Sequence, residues 1–257
     1  MIDFSIFLSS PNDCAVEREA THAVVARLNA DPMISSFARI QVAAWDWGAG
    51  VPFDALKSPQ TSVDQHVPTP ESCDAFVGIF RFRFGSPLSK LEFRKPDASP
   101  FLSGSEYEFH RAWNARRRGA TKPDIFMYRL DSPHSPTGEL DEQRQTVDEF
   151  FARPPFVDNN QVTGAYERFS DTEMFAEKLE NALRSVLAKR APGTDKPLRT
   201  WMNEQSAALT ANSGPRYTRD AHVSTDIGHV FHWLLARKEA VAELDHLLKE
   251  IYENLPD

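Results

Sequence analysis

The run "CDAFVGIFRFRFG", residues 73–85, constrains the fold more than any other stretch of the chain. Past Asp74 it is continuously apolar up to Phe80 and then alternates Phe with Arg. A strand that is apolar on both faces has to be covered on both, which is the condition at the centre of a parallel sheet. The run therefore predicts a central strand over residues 74–82. Four further strands are expected at residues 2–10 ("IDFSIFLSS"), 39–47 ("RIQVAAWDW"), 124–130 ("DIFMYRL") and, shorter, 164–171 ("GAYERFSD"). Helical stretches separate them. Residues 14–30 carry Val16, Ala20, Val24 and Leu28 on one face, with Asp13 as the expected N-cap. A weak helical segment lies around residues 62–66. A helix is expected from Ser103 to a Gly119 stop, another over 139–152 ended by Pro154 and Pro155, and a third over 172–190 with Phe175, Leu179, Ala182 and Val186 in its stripe. Strand and helix in alternation predict an α/β fold, a doubly wound and mainly parallel five-stranded sheet with helices on both faces.

Ligands of such sheets bind beyond the carboxyl ends of the strands. That rule puts Ser9, Ser10, Trp45, Trp47 and the turn at residues 83–85 on one rim, from which the Ser103 helix also starts. A polar stretch containing Pro and Gly, "APGTDKPLRT", follows at residues 191–200 and predicts a boundary. Residues 1–190 are then one domain, and residues 191–257 a linker and C-terminal helical extension. Ile227, Val230, Leu234, Val241, Leu244, Leu248 and Ile251 share one face there. Such a stripe has to pack against the domain or a partner, since left bare it would form a large apolar patch.

The 257 residues carry a formal charge of −8. An acidic chain is a poor non-specific ligand for nucleic acid or anionic lipid, so neither partner is expected. The cluster Arg116, Arg117 and Arg118 is read as a solvated helix C-terminus, where the macrodipole favours cations. The two cysteines, Cys14 and Cys73, have no metal-ligand spacing. With a polar start and no long apolar run, they are expected to be free thiols in a cytoplasmic protein without a structural metal or a membrane span.

Two serine–glutamate pairs compete for the start of the Ser103 helix: Ser103 with Glu106, and Ser105 with Glu108. Either makes a capping box, but only one can begin the helix. The Ser103 register places Leu102 and Tyr107 where they could staple, whereas the Ser105 register has Gly104 before the cap. Glu106 is thus the capping residue, worth about 1 kcal/mol or less. Glu108 is left over in the second turn. At about 100° per residue the two carboxylates diverge by about 200°, so they are not a paired acid and base. Ala112, four residues on from Glu108, lets the helix approach the sheet and aims the carboxylate toward the strand ends.

Three pieces, "IFLSSPNDCAVERE", "CDAFVGIFRFRFGSP" and "SGSEYEFHRA", follow one another in an order that resembles the TIR domains. The likeness is to the bacterial TIR-like domains that share a superfamily with nucleoside deoxyribosyltransferases, and it covers roughly residues 2–190. The resemblance implies a TIR/flavodoxin-like fold. It also implies cleavage of the N-glycosidic bond of NAD, with NAD as substrate and no cofactor. The helix glutamate of that family falls on Glu108, as the catalytic residue. Ser9, Ser10, Trp45, Trp47, Arg83 and Phe84 would line or contact the substrate. Cleaving the nicotinamide–ribose bond builds oxocarbenium character, which one carboxylate can stabilise, and the pyridinium leaves neutral without a general acid. Four positions before Glu108, where many NAD-cleaving TIR domains carry tryptophan, this chain has Gly104. A nucleoside or nucleotide glycosidic bond is therefore the alternative substrate.

The tail segment "GPRYTRDAHVSTDIGHVF", residues 214–231, resembles the junction that follows effector domains in bacterial STAND NTPases, including antiviral ones. No P-loop signature occurs in the chain. The combined resemblance implies an effector of antiviral, abortive-infection defence that is activated by homo-oligomeric self-association. A TIR-like self-association module without catalysis is the competing reading, and a deoxyribosyltransferase-like metabolic enzyme a third.

Overall fold

The computed structural model describes residues 1–45, 51–132 and 138–191. Trp47 and the 192–257 extension, with its apolar stripe, lie outside the described residues. The chain divides into two compact units, one of residues 1–2, 26–39 and the segment from 180, the other of residues 3–25 and 40–179. In the first, Arg27 and Arg184 share the Glu180 carboxylate, and Arg184 also bonds Asp31 at 2.6 Å.

The elements run β1 (Ile2–Ser9), α1 (Ala15–Ala30), α2 (Pro32–Ser35), β2 (Ala38–Ala43), α3 (Pro59–His66), β3 (Ala75–Phe80), α4 (Gly104–Arg117), β4 (Asp124–Leu130), α5 (Glu139–Phe151), β5 (Val157–Asp158), β6 (Gln161–Val162), β7 (Glu167–Phe169) and α6 (Thr172–Arg190). Five strands form one parallel sheet in the order β2-β1-β3-β4-β7. β3 is the middle strand and is buried at every residue, as its unbroken apolar run requires. Register carries this into layers. Gly78 pairs with Met127 and Ile79 with Tyr128, so the two faces of the sheet continue from β3 into β4. On one face Phe7 stacks on Phe76, and Phe76, Phe80 and Met127 join Phe109 and Ala112 of α4 and Phe150 and Phe151 of α5. On the other, Tyr128 and Phe169 meet Phe175 of α6.

Several local signals act as the sequence implies. Ser103 is the N-cap of α4, accepting from Glu106 N at 3.1 Å. Gly119 follows that helix at φ +91°, with Ala120 N bonded back to Ala115 O, a left-handed stop that only glycine adopts without strain. The exposed Arg116 donates to Ala120 O at the same end. Cys14 and Cys73 are buried free thiols. Among the described residues no helix is long and apolar enough to cross a membrane.

Other expectations are corrected. The central strand stops at Phe80, not at residue 82, because Asp13 takes the next amides: its Oδ2 accepts from Phe82 N and Arg83 N, each at 3.0 Å. Asp13 therefore does not cap α1. A short 3-10 turn, Asn12–Cys14, leads into that helix instead, without a side-chain cap bond. Val16, placed on the buried stripe by its period, is exposed. β2 ends at Ala43, four residues before the expected end. The small β5–β6 hairpin was not anticipated; Asn159 and Asn160 form its turn at positive φ.

Asp13→Ala removes the acceptor for two backbone amides at the exit of the central strand. It is expected to lower unfolding free energy by about 1–2 kcal/mol, read from urea denaturation. An unchanged midpoint would mean that water serves those amides equally well.

Candidate functional site

The strand order reverses direction between β1 and β3: the chain goes from β1 outward to β2, then returns to β3 on the other side of β1. At such a switch point the two crossover connections part beyond the carboxyl ends of the strands and leave a crevice. Here the crevice is a cleft of about 480 Å³. Ser10 and Asn12 after β1, Trp45 after β2, and Arg83 with residues 85–89 after β3 form its walls. The first turns of α3 and α4 close it, and Glu139 and Gln143 of α5 complete the rim.

Glu108 reaches this cleft from the second turn of α4 and is only 7% exposed. Oε2 accepts from the Ser9 hydroxyl at 2.6 Å, and Oε1 accepts from Gln60 Nε2 at 3.2 Å. Burial pushes its carboxyl up to about 7, helped by the nearby Asp64 charge; the Ser9 and Gln60 bonds and Arg111 act in the opposite direction. A carboxyl poised near neutrality inside a cleft can take part as anion or as acid, which few surface carboxylates can do.

Ser9 and Ser10 divide the work. The Ser9 hydroxyl is committed to Glu108. Ser10 accepts from Arg18 Nη1 at 3.1 Å, so its own proton stays available to donate. Arg18 also donates to Pro11 O at 2.9 Å and lies 5.8 Å from the Trp45 ring, which stiffens the loop after β1. Trp45 meets Phe53 edge-on, and both line the cleft. Arg83 lines it too. Phe84, expected at the substrate, is corrected to a core residue. It is 1% exposed and packs on Phe80 and Phe150, while its backbone amide donates to Gln143 Oε1. The turn at residues 83–85 does reach the rim, but there the Phe84 ring turns back onto Phe80 and Phe150 and Arg83 lines the cleft.

Gln60, Asn12 and Gln143 are cleft residues that the sequence reading does not single out, and Gly104 is one it notes only at the helix start and as a departure from the family. Gln60 had only the weak helical signal around residues 62–66. Gly104 had a signal, as the odd residue in a helix start, and its reason is now visible. A Cβ at residue 104 would stand 2.4 Å from Gln60 Oε1. The carboxamide of Gln60 occupies the space that a side chain there would need.

Glu106 points away from Glu108, as their spacing demands. Its Oε2 accepts from Leu102 N at 2.7 Å, and Oε1 takes both Lys95 Nζ at 2.8 Å and Arg153 Nη2 at 3.1 Å. It is 1% exposed. It therefore fastens the cleft-wall segment 85–103 as well as the helix start. The ring of Tyr107 packs edge-on against Phe93 and Phe101. Among the described residues no group of three or more His, Cys, Asp or Glu is placed to hold a metal ion.

No protein-family model matches this chain, and neither do the curated proteins or the solved structures searched.

Proposed function

We propose that the chain is a glycohydrolase that cleaves the N-glycosidic bond of NAD or of a related nucleotide, with Glu108 facing the ribose. The observation that carries the reading is the placement of Glu108, a buried carboxyl held on both oxygens at a cleft where the strand order reverses. The resemblance of the three sequence pieces to TIR domains supports it from a separate direction. The bond between C1′ of the ribose and the base nitrogen breaks with its electron pair on the base. The Glu108 carboxylate stabilises the positive charge left on the ribose. Water then adds to C1′ and releases its proton to bulk solvent. Ser10 has a hydroxyl proton to offer a substrate oxygen, Arg83 a cation for phosphate, and Trp45 an aromatic wall for a base.

The experiment is turnover of NAD and a panel of nucleosides and nucleotides. It is run on dilute and on deliberately clustered protein, because the resemblance implies activation by self-association. No turnover of any member in either form sinks the proposal and leaves a binding module.

A second reading within the same chemistry rests on the raised Glu108 carboxyl. A neutral base is a poor leaving group unless it is protonated, and an acid that holds its proton to about pH 7 can supply that proton. The two substrates give opposite pH profiles. For a pyridinium leaving group the ionised form works, so kcat/KM should rise with pH to a plateau with a midpoint near 7. For a neutral base it should fall through the same window. A profile that is flat from pH 5 to pH 9 on every substrate would remove Glu108 from the reaction.

A further inference from the structure

Gln60 of α3 lies between two carboxyl groups. Its Nε2 donates to Glu108 Oε1 and to Asp64 Oδ1, each at 3.2 Å. An amide nitrogen has two protons, so both are committed. The flipped amide would turn its carbonyl oxygen onto two acceptors, so these neighbours fix the orientation. Asp64 is itself held. Its Oδ2 accepts from the Tyr107 hydroxyl at 2.8 Å and pairs with Arg111 Nη1 at 3.3 Å. Arg111 is clamped in turn by Glu71, with Nε 3.0 and 3.2 Å from its two oxygens. The other end of the carboxamide, Oε1, sits over Gly104, where any side chain would collide with it.

We propose that Gln60 is the positioning residue for Glu108: its carboxamide, oriented by Asp64 and given room by Gly104, holds the Glu108 carboxyl in the cleft. The functional weight of this rests on Glu108 being the reacting carboxyl, but the physical coupling does not. A donor on Oε1 stabilises the carboxylate over the acid, and it limits the rotamers open to a side chain otherwise held only by Ser9. The other charges that act on Glu108 are Asp64 from α3 and Arg111 from α4, while Arg83 and Glu139 line the same cleft. None of them is substituted in Gly104→Ala, which acts on Glu108 by displacing the carboxamide.

The test follows the Glu108 carboxyl carbon by NMR during a pH titration, with the resonance assigned by its loss in Glu108→Gln. Gln60→Leu and Gly104→Ala should each move the titration midpoint upward by about one pH unit, the size of a lost hydrogen bond to a charged group. The double variant should move no further than the larger single one, because both act through one bond. An unmoved midpoint in either single variant, or additive shifts, overturns the proposal. If Gln60→Leu does not fold, Gly104→Ala decides alone: an upward shift supports the proposal and no shift overturns it. On the best substrate of the panel, kcat/KM of Gly104→Ala should fall more at the acid side of the titration than at the alkaline side if the ionised form reacts. Absence of turnover in the wild type would defeat the glycohydrolase reading and leave the titration result standing by itself.

Discussion

Glu108→Gln is expected to give a protein that folds, melts higher than wild type at pH 8, and has lost the proposed cleavage. The amide keeps the size of the side chain: its one oxygen can accept from Gln60, and its NH2 can donate to Ser9, whose hydroxyl turns to accept. It cannot carry the negative charge that an oxocarbenium-like transition state needs, so turnover should fall by about a thousandfold or more. Stability moves in the opposite direction. Folded Glu108 holds its proton to about pH 7, whereas the unfolded chain releases it near 4.5. Between those values the folded state binds more protons than the unfolded state, so raising the pH weakens the wild type. The loss is complete above about pH 7 and is on the order of 3 kcal/mol. Gln has no proton to lose and escapes it. The gain should therefore be present at pH 8 and should shrink toward pH 4.5. Activity assays beside melting curves at several pH values check both halves. A variant that is inactive and also less stable at pH 8 would mean that Glu108 is a structural carboxylate.

Glu106→Gln should show the reverse pattern: a loss of stability of about 2–4 kcal/mol, with cleavage retained well below its melting point. A cap alone is worth about 1 kcal/mol or less by the sequence argument. The structure raises that figure because the buried carboxylate meets Lys95, Arg153 and the Leu102 amide at once. An amide can face the cations with its oxygen or the Leu102 N–H with its oxygen, but not both. One donor is then left facing another. Lys95 and Arg153 keep partial access to water, their side chains being 17% and 42% exposed, which holds the loss to the lower part of the range for a broken buried pair. Guanidinium denaturation gives the measurement. A loss below about 1 kcal/mol would return Glu106 to the role of a simple cap. The two glutamates, two residues apart, should thus separate: one change costs activity and adds stability, the other costs stability.

Much of the fold was legible because its signals are local. An unbroken apolar run can only be a strand covered on both faces, and β3 is that strand. A serine three residues before a glutamate sets a helix start, and the choice of Ser103 over Ser105 followed from the residues on either side. The same choice separated Glu106 from Glu108 by geometry alone, since a helix turns by a fixed angle per residue. Glycine at a left-handed stop is also local, and Gly119 is there. Where side chains act at long range, the sequence was silent or misleading. Asp13 was read as a cap by its position before a helix, yet its carboxylate serves the amides of Phe82 and Arg83. Phe84 is expected at the cleft because its turn lies at the carboxyl end of the central strand, yet long-range packing on Phe80 and Phe150 puts its ring in the core. Gln60 carries no periodic or capping mark of its role. Its amide matters because the tertiary fold brings α3 against α4, placing Gln60 between Asp64 and Glu108 and over the one residue without a side chain. The sequence by itself determined the order of the five sheet strands and the longer helices between them, and which glutamate was not the cap. Only the tertiary structure decided what surrounds that glutamate, because burial and hydrogen-bond partners come from residues far apart in the chain, and these set the protonation of a carboxyl.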